Sequence, residues 1–309
     1  MRNKRTSLYI ILSIFLTINS YSQCACCAGA SIGSSNGDFN NGLLTLKKNQ
    51  FIAETYFDYR KIKEGTAIEE DEKLLKSMII NSFGVRYGIT NKFTVSALLP
   101  FVTLSTNTGN DKGFGDMILI GTYSIFSKKN LNIALQAGIE LPTGIQKDSN
   151  FDNSTVVIGS GSYDPMVGVV FSNNWNNYTL QGNALYKHTN KGFDGNYYSS
   201  LAVQNITLSH RLIKESAFCS ANSDEKANGS NLGLSLFGGY NGEWLDNLKE
   251  GDEIDENSGY YLGFVYVGSN ISYKNFSLPI TFSIPIINNM NGNQNDASFR
   301  VKLGIIITF

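Results

Sequence analysis

Charge is scarce in this sequence: Asp, Glu, Lys and Arg make up 17% of 309 residues. That share argues against a protein built of amphipathic helices, whose outer faces carry Lys and Glu. The net charge of -1 lacks the basic excess of a nucleic-acid binder, so no nucleic-acid partner is expected. Histidine is nearly absent, with only His188 and His210. No Walker, Rossmann, His-Glu-x-x-His or Gly-x-Ser-x-Gly arrangement occurs, so the chain is not expected to be an enzyme. The one hydrolase candidate is His188 with Thr189 and Ser199 nearby, and a rim histidine is more often a solvated polar residue. Beyond the amino terminus no run reaches about eighteen apolar residues, so no transmembrane helix is expected in the mature chain.

What is present points to strands. Hydrophobic residues make up 42% of the chain, with 19 Phe, 16 Tyr and 30 Gly, a composition of many strands joined by turns. The carboxy-terminal segment shows the pattern most clearly. Phe299, Val301, Leu303, Ile305, Ile307 and Phe309 fall on one side of an extended strand; Ser298, Arg300, Lys302, Gly304 and Thr308 fall on the other, with Ile306. A period of two sorts side chains to opposite faces of a sheet. One greasy face and one cationic face over about ten residues is what a bilayer-spanning barrel strand requires. The final aromatic residue also resembles the ending common among bacterial outer-membrane barrels.

The amino terminus reads as a secretory signal peptide over residues 1–22. Arg2, Lys4 and Arg5 precede an apolar run from Leu8 to Leu16, and Ser20-Tyr-Ser22 offers small residues for cleavage. A periplasmic segment over 23–49 and a barrel over 50–309 follow, with no linker to divide them. About thirty residues leave no room for a plug domain ahead of the barrel, which argues against energy-coupled import.

Strands are expected near 50–61, 76–89, 92–102, 114–126, 131–142, 160–172, 178–188, 198–213, 231–243, 259–273, 276–287 and 297–309. The stretches 114–126 and 198–213 alternate poorly. Short polar turns at 89–92, 127–130, 173–177 and 273–275 alternate with long loops at 62–75, 103–113, 143–159, 189–197, 244–258 and 288–296. Short turns on one rim and long loops on the other is the bacterial outer-membrane pattern, and the connection 214–230 breaks it by its length. The fold class is therefore all-β, a transmembrane antiparallel up-and-down barrel of about twelve strands. An even count places both termini on the periplasmic side of the bacterial outer membrane.

Within such a barrel the inward charges are Glu54, Asp58, Arg60, Lys76, Arg86, Glu140, Lys187, Arg300 and Lys302, all candidate lumen-lining residues. Both signs are present, which predicts no strong ion selectivity, and Arg300→Glu is expected to change ion preference with little loss of folding. Phe51, Tyr59, Tyr87, Phe93, Phe101, Tyr178, Tyr186, Tyr260 and Phe276 would form the interfacial aromatic girdles.

Three short segments carry a family resemblance: Gly113-Phe-Gly-Asp-Met-Ile-Leu-Ile-Gly-Thr-Tyr123, Gly138-Ile-Glu-Leu-Pro-Thr-Gly144 and Ile158-Gly-Ser-Gly-Ser-Tyr-Asp-Pro-Met-Val-Gly168. Together they resemble the outer-membrane transporter family labelled for the MetA pathway of phenol degradation. The resemblance implies a barrel that passes small molecules across the outer membrane, aromatic or apolar compounds among them. Asp116 and Asp164 would lie near the outer rim, either lining an entrance or, the favoured reading, accepting hydrogen bonds from loop N–H groups.

Cys24, Cys26, Cys27 and Cys219 would all lie on the periplasmic side, joined by disulfide bonding or holding a soft metal such as Cu(I) or Zn(II). A disulfide staple is the leading alternative, and no other cofactor is expected. The reading overall is a channel for passive passage of small-molecule solutes. Its partners would be outer-membrane lipid and lipopolysaccharide and the barrel-assembly machinery. The competing reading is a non-transporting barrel whose cysteine cluster binds a metal or docks a partner.

Overall fold

The computed structural model describes residues 44–63, 75–107, 109–144, 146–148, 155–213, 232–292 and 294–309. The leader, the four cysteines and the long connection 214–230 lie outside the described residues. Twelve long strands form the wall: β1 (Phe51–Ile62), β2 (Leu75–Thr90), β3 (Phe93–Thr106), β4 (Met117–Lys128), β5 (Leu131–Leu141), β6 (Asp164–Trp175), β7 (Tyr178–Lys187), β8 (Leu201–Ile213), β9 (Leu232–Leu245), β10 (Tyr260–Tyr273), β11 (Phe276–Met290) and β12 (Ala297–Thr308). Each pairs antiparallel with its neighbours in sequence. Pairing of β1 with β12, from Ile52 opposite Thr308 to Ile62 opposite Ala297, closes the barrel. Closure removes the free edges that an open sheet of this size would expose.

Two-residue turns join β2 to β3, β4 to β5, β6 to β7 and β10 to β11 at one rim. In three of them the first turn residue, Lys129, Asn176 or Lys274, takes a positive φ, and the tight reversal follows. The opposite rim carries the long connections. Short pieces of sheet there, Asn110–Phe114 along β3 and Gln146–Asp148 against Thr155–Val157, extend the wall beyond the barrel strands.

Alternation holds around the wall. Leu135 is 49% exposed and Leu303 is 42% exposed on the outer surface, while Glu140 is 1% exposed within. A continuous apolar outer surface with buried polar residues inside inverts the arrangement of a water-soluble barrel, and it requires lipid around it. Aromatic pairs mark both rims. Phe51 with Phe309, Phe93 with Tyr123 and Trp175 with Tyr178 lie beside the short turns, and Tyr59 with Phe299 and Phe101 with Phe114 lie toward the long loops. Tyr260 departs from its expected place in the girdle. It faces inward and packs on Leu201, Val203 and Leu245. Lys76 also departs from the lumen, because the register with β3 breaks between Leu75 and Ser77 and leaves it exposed at the rim.

The ladder between β11 and β12 is the least regular in the wall. Its pairs run from Phe276–Ile307 to Ser283–Arg300 and skip Leu278 and Pro279. Pro279 and Pro285 lack the N–H that a ladder bond needs. Beyond Ser283 the Asn288 side chain makes the connection instead, accepting from the Ala297 N–H and donating to the Ala297 carbonyl.

Candidate functional site

The interior divides into three regions. Toward the short-turn rim the inner wall is lined by small polar side chains, among them Thr94, Asn132, Ser172, Thr179, Ser209 and Asn270. Part of this wall is internally bonded: Gln136 donates to Thr122 at 3.4 Å, and Asn205 and Thr207 meet the Tyr266 hydroxyl. Toward the long-loop rim, two charged clusters face each other from opposite halves of the barrel.

The first cluster is built from β9, β10, β12 and β1. Asp58 and Arg60 are two apart on β1, so both point inward, and they pair at 2.9 Å. Arg300 lies directly across the ladder from Arg60, and Lys302 across from Asp58. Two guanidiniums side by side would repel. The arrangement holds because Arg300 reaches over the Phe264 ring, 3.8 Å from its centroid, to a bidentate pair with Glu243 on β9. Lys302 lies 4.6 Å over the Tyr56 ring. Lower on β1, Glu54 pairs with Arg86 of β2 at 2.9 Å. Of the inward-facing charges expected from the sequence, Lys76 lies exposed at the rim, Lys302 covers the Tyr56 ring, and Glu54, Asp58, Arg60, Arg86, Glu140, Lys187 and Arg300 are held inside the wall in ion pairs. In this geometry Arg300→Glu would place a carboxylate against Glu243 and remove the partner of a buried charge, which argues for a larger loss of folding stability than the sequence suggests.

The second cluster joins the three segments that carried the family resemblance. Glu140 on β5 faces Asp164 on β6 across the ladder, and Lys187 on β7 pairs with Glu140 at 2.9 Å, with both side chains all but fully buried. Asp116, just before β4, accepts hydrogen bonds from the Gly144 N–H at 2.7 Å, the Ser160 N–H and the Ser160 hydroxyl at 2.9 Å. The Ser162 hydroxyl donates to Asp164 at 2.6 Å, and the Asn190 N–H donates to the same oxygen at 2.9 Å. Of the two roles open to Asp116, binding loop N–H groups is the one that the geometry shows. Gly144 and Gly159 meet back to back; a Cβ on Gly144 would come within 2.6 Å of the Gly159 backbone. Only glycine allows that approach.

The latch turns residues 158–162 into the barrel mouth. Ile158 is buried against Met78, Ile80, Val102 and Leu104, which all point inward from β2 and β3. A neighbouring inward cluster joins Leu98, Ile118, Ile120, Met166 and Leu185. Half of the upper lumen is therefore apolar and packed, a feature not read from the alternation. On the other half, a cavity of about 70 Å³ lies beside the first charged cluster, lined by Arg60, Arg300, Ile62, Leu245, Tyr260 and Met290 among others.

The loop between β7 and β8 folds over the same rim. The buried Tyr198 hydroxyl donates to Asp194, and burial, with the carboxylate beside it, pushes that phenol well above its ordinary pKa. His188 is exposed at this rim, and the Ser199 carbonyl accepts from the Thr189 hydroxyl. His210 stacks on Tyr178 near the opposite rim. No group of three or more metal-ligating side chains occurs among the described residues.

Residues 77–239 match the family described as "Putative MetA-pathway of phenol degradation". Among solved structures, the chain is similar to an outer membrane channel from Pseudomonas putida F1. The TM-score is 0.57 at 15% identity, covering 88% of this chain and 98% of that one. The NanC porin gives a TM-score of 0.46 at 11% identity, covering 82% and 98%. The translocator domain of the autotransporter NalP from Neisseria meningitidis gives 0.48 at 14% identity, covering 94% and 100%. No curated protein matches the chain.

Proposed function

The chain belongs to the family described as "Putative MetA-pathway of phenol degradation", and on that premise we propose that it is an outer-membrane channel for passive passage of small molecules. The short-turn rim and both chain ends face the periplasm in this reading. One observation carries it. The wall holds its polar residues and its ion pairs against itself, around an interior that keeps an open cavity at the long-loop mouth. The latched segment 158–162 narrows the mouth, which sets a size limit. Charges of both signs are paired along the inner wall, so strong ion selectivity is not expected.

Proteoliposome swelling with neutral solutes of increasing size tests this. Wild-type protein is expected to pass arabinose and to exclude raffinose. Asp116→Ala removes the acceptor of the Gly144 and Ser160 N–H groups, and is expected to raise the raffinose rate several-fold. Absence of swelling with every solute, in wild type and variant alike, would contradict the channel reading.

A further inference from the structure

We infer that the inward amides Gln136, Gln181 and Asn183 form a binding site, partway down the lumen, for an uncharged polyhydroxylated solute such as a polyol or small sugar. Below Glu140, Asp164, Lys187 and Glu243, and as far as Arg211 at the short-turn rim, no inward position on β5 to β9 carries a charge. Amides take that place. Asn183 on β7 lies directly across from Asn205 on β8, which lies across from Asn241 on β9. The next inward row sets Gln181 across from Thr207. Neighbouring strands are about 4.8 Å apart, so hydrogen-bonding groups repeat closely around this part of the wall. Gln136 joins them from β5. Its Oε1 lies over Gly168 of β6, 3.3 Å from where a Cβ would stand, and so on the side of β7. Three of these amides are incompletely used. Gln136 Oε1, Gln181 Nε2 and Asn183 Nδ2 have no hydrogen-bond partner among the described residues, although each residue is at least nine-tenths buried. Buried amides are costly in that state and call for a partner. A run of hydroxyl groups supplies one, because each hydroxyl both donates and accepts. An ion of either sign would give up its water there without meeting an opposite charge, and an apolar solute would leave the three amides unbonded.

The assignment rests on the channel reading and names the solute class that the lumen prefers. Uptake of labelled arabinitol into proteoliposomes tests it, with arabinonate as a charged probe of the same carbon skeleton. For the wild type, arabinitol uptake is expected to saturate with concentration, and at low concentration to exceed arabinonate uptake at least about tenfold. The double variant Gln181→Met/Asn183→Leu keeps similar side-chain shapes and removes the amides. It should take up arabinitol at least about tenfold more slowly and without saturation, while keeping the heat-modifiable gel mobility of a folded barrel. Wild-type uptake that stays proportional to concentration, or that is equal for the two probes, would overturn the site and leave those amides to water. That comparison needs no variant to fold. A folded double variant with unchanged arabinitol uptake would also overturn it. Titration calorimetry of the detergent-solubilised protein with arabinitol makes the two readings fail separately. Binding without uptake of any solute would remove the channel and leave the site, while uptake with neither saturation nor binding heat would remove the site alone.

Discussion

Leu135→Arg is expected to lower the folding stability of the barrel in phospholipid vesicles by about 2–4 kcal/mol, the cost of a cation on the lipid face near the bilayer midplane. Leu135 sits in the middle of β5, paired with Tyr123 on one side and Val169 on the other, and is half exposed on the outer wall. The same substitution at a half-exposed position of a water-soluble protein would change stability by only about 0.5 kcal/mol in either direction. Urea titration in vesicles separates these outcomes. The effect should also fade toward the rims, so Leu131→Arg, four residues nearer the short turns, should cost less. A flat dependence on position would mean that the outer surface does not meet hydrocarbon.

The second large effect lies inside. Glu140→Gln removes the carboxylate that pairs at 2.9 Å with the Lys187 ammonium, which is 3% exposed. Breaking a buried pair from one side costs about 3–5 kcal/mol, because the remaining charge stays buried without the group that bonded it. Replacing both residues, as Glu140→Gln/Lys187→Met, should recover part of that loss, since the ammonium is removed together with the carboxylate that bonded it. Asp116 and Asp164 give the lysine a further role. It is the cation among three neighbouring buried carboxylates, so Lys187→Met alone should destabilise at least as much as Glu140→Gln. Equilibrium unfolding of the four proteins in one lipid gives the coupling directly. Additive losses would show that the pair is screened by water that fills the upper lumen.

The strand count and the direction of the charged residues were legible because a closed membrane barrel enforces a period of two at every position between lipid and lumen. Residues 131–142 and 297–309 show it without exception but for Ile306. The stretch 114–126 alternated poorly for a physical reason. Ile118 and Ile120 face an apolar part of the lumen while Leu119 and Tyr123 face lipid, so both sides of β4 are greasy. Leu201 and Val203 blur β8 in the same way. The strand expected from residue 160 begins at Asp164 because Asp116 and Asp164 hold residues 158–162 turned into the mouth. Tyr260 has the position of a girdle residue but the parity of an inward one, and parity decides. Glu243 and Arg300 are 57 residues apart and meet across two intervening strands. Nothing in sequence spacing announces such a partner, so the ion pair that Arg300→Glu would break is not legible in the sequence.

Spin labels placed singly at positions 132 to 139 test the central claim most directly, in a background with Cys24, Cys26, Cys27 and Cys219 replaced by serine. In vesicles, collision with dissolved oxygen should be high at 133, 135, 137 and 139 and low at 132, 134, 136 and 138. The result that would contradict the account is an oxygen profile without a two-residue oscillation, or one with its maxima at the even positions.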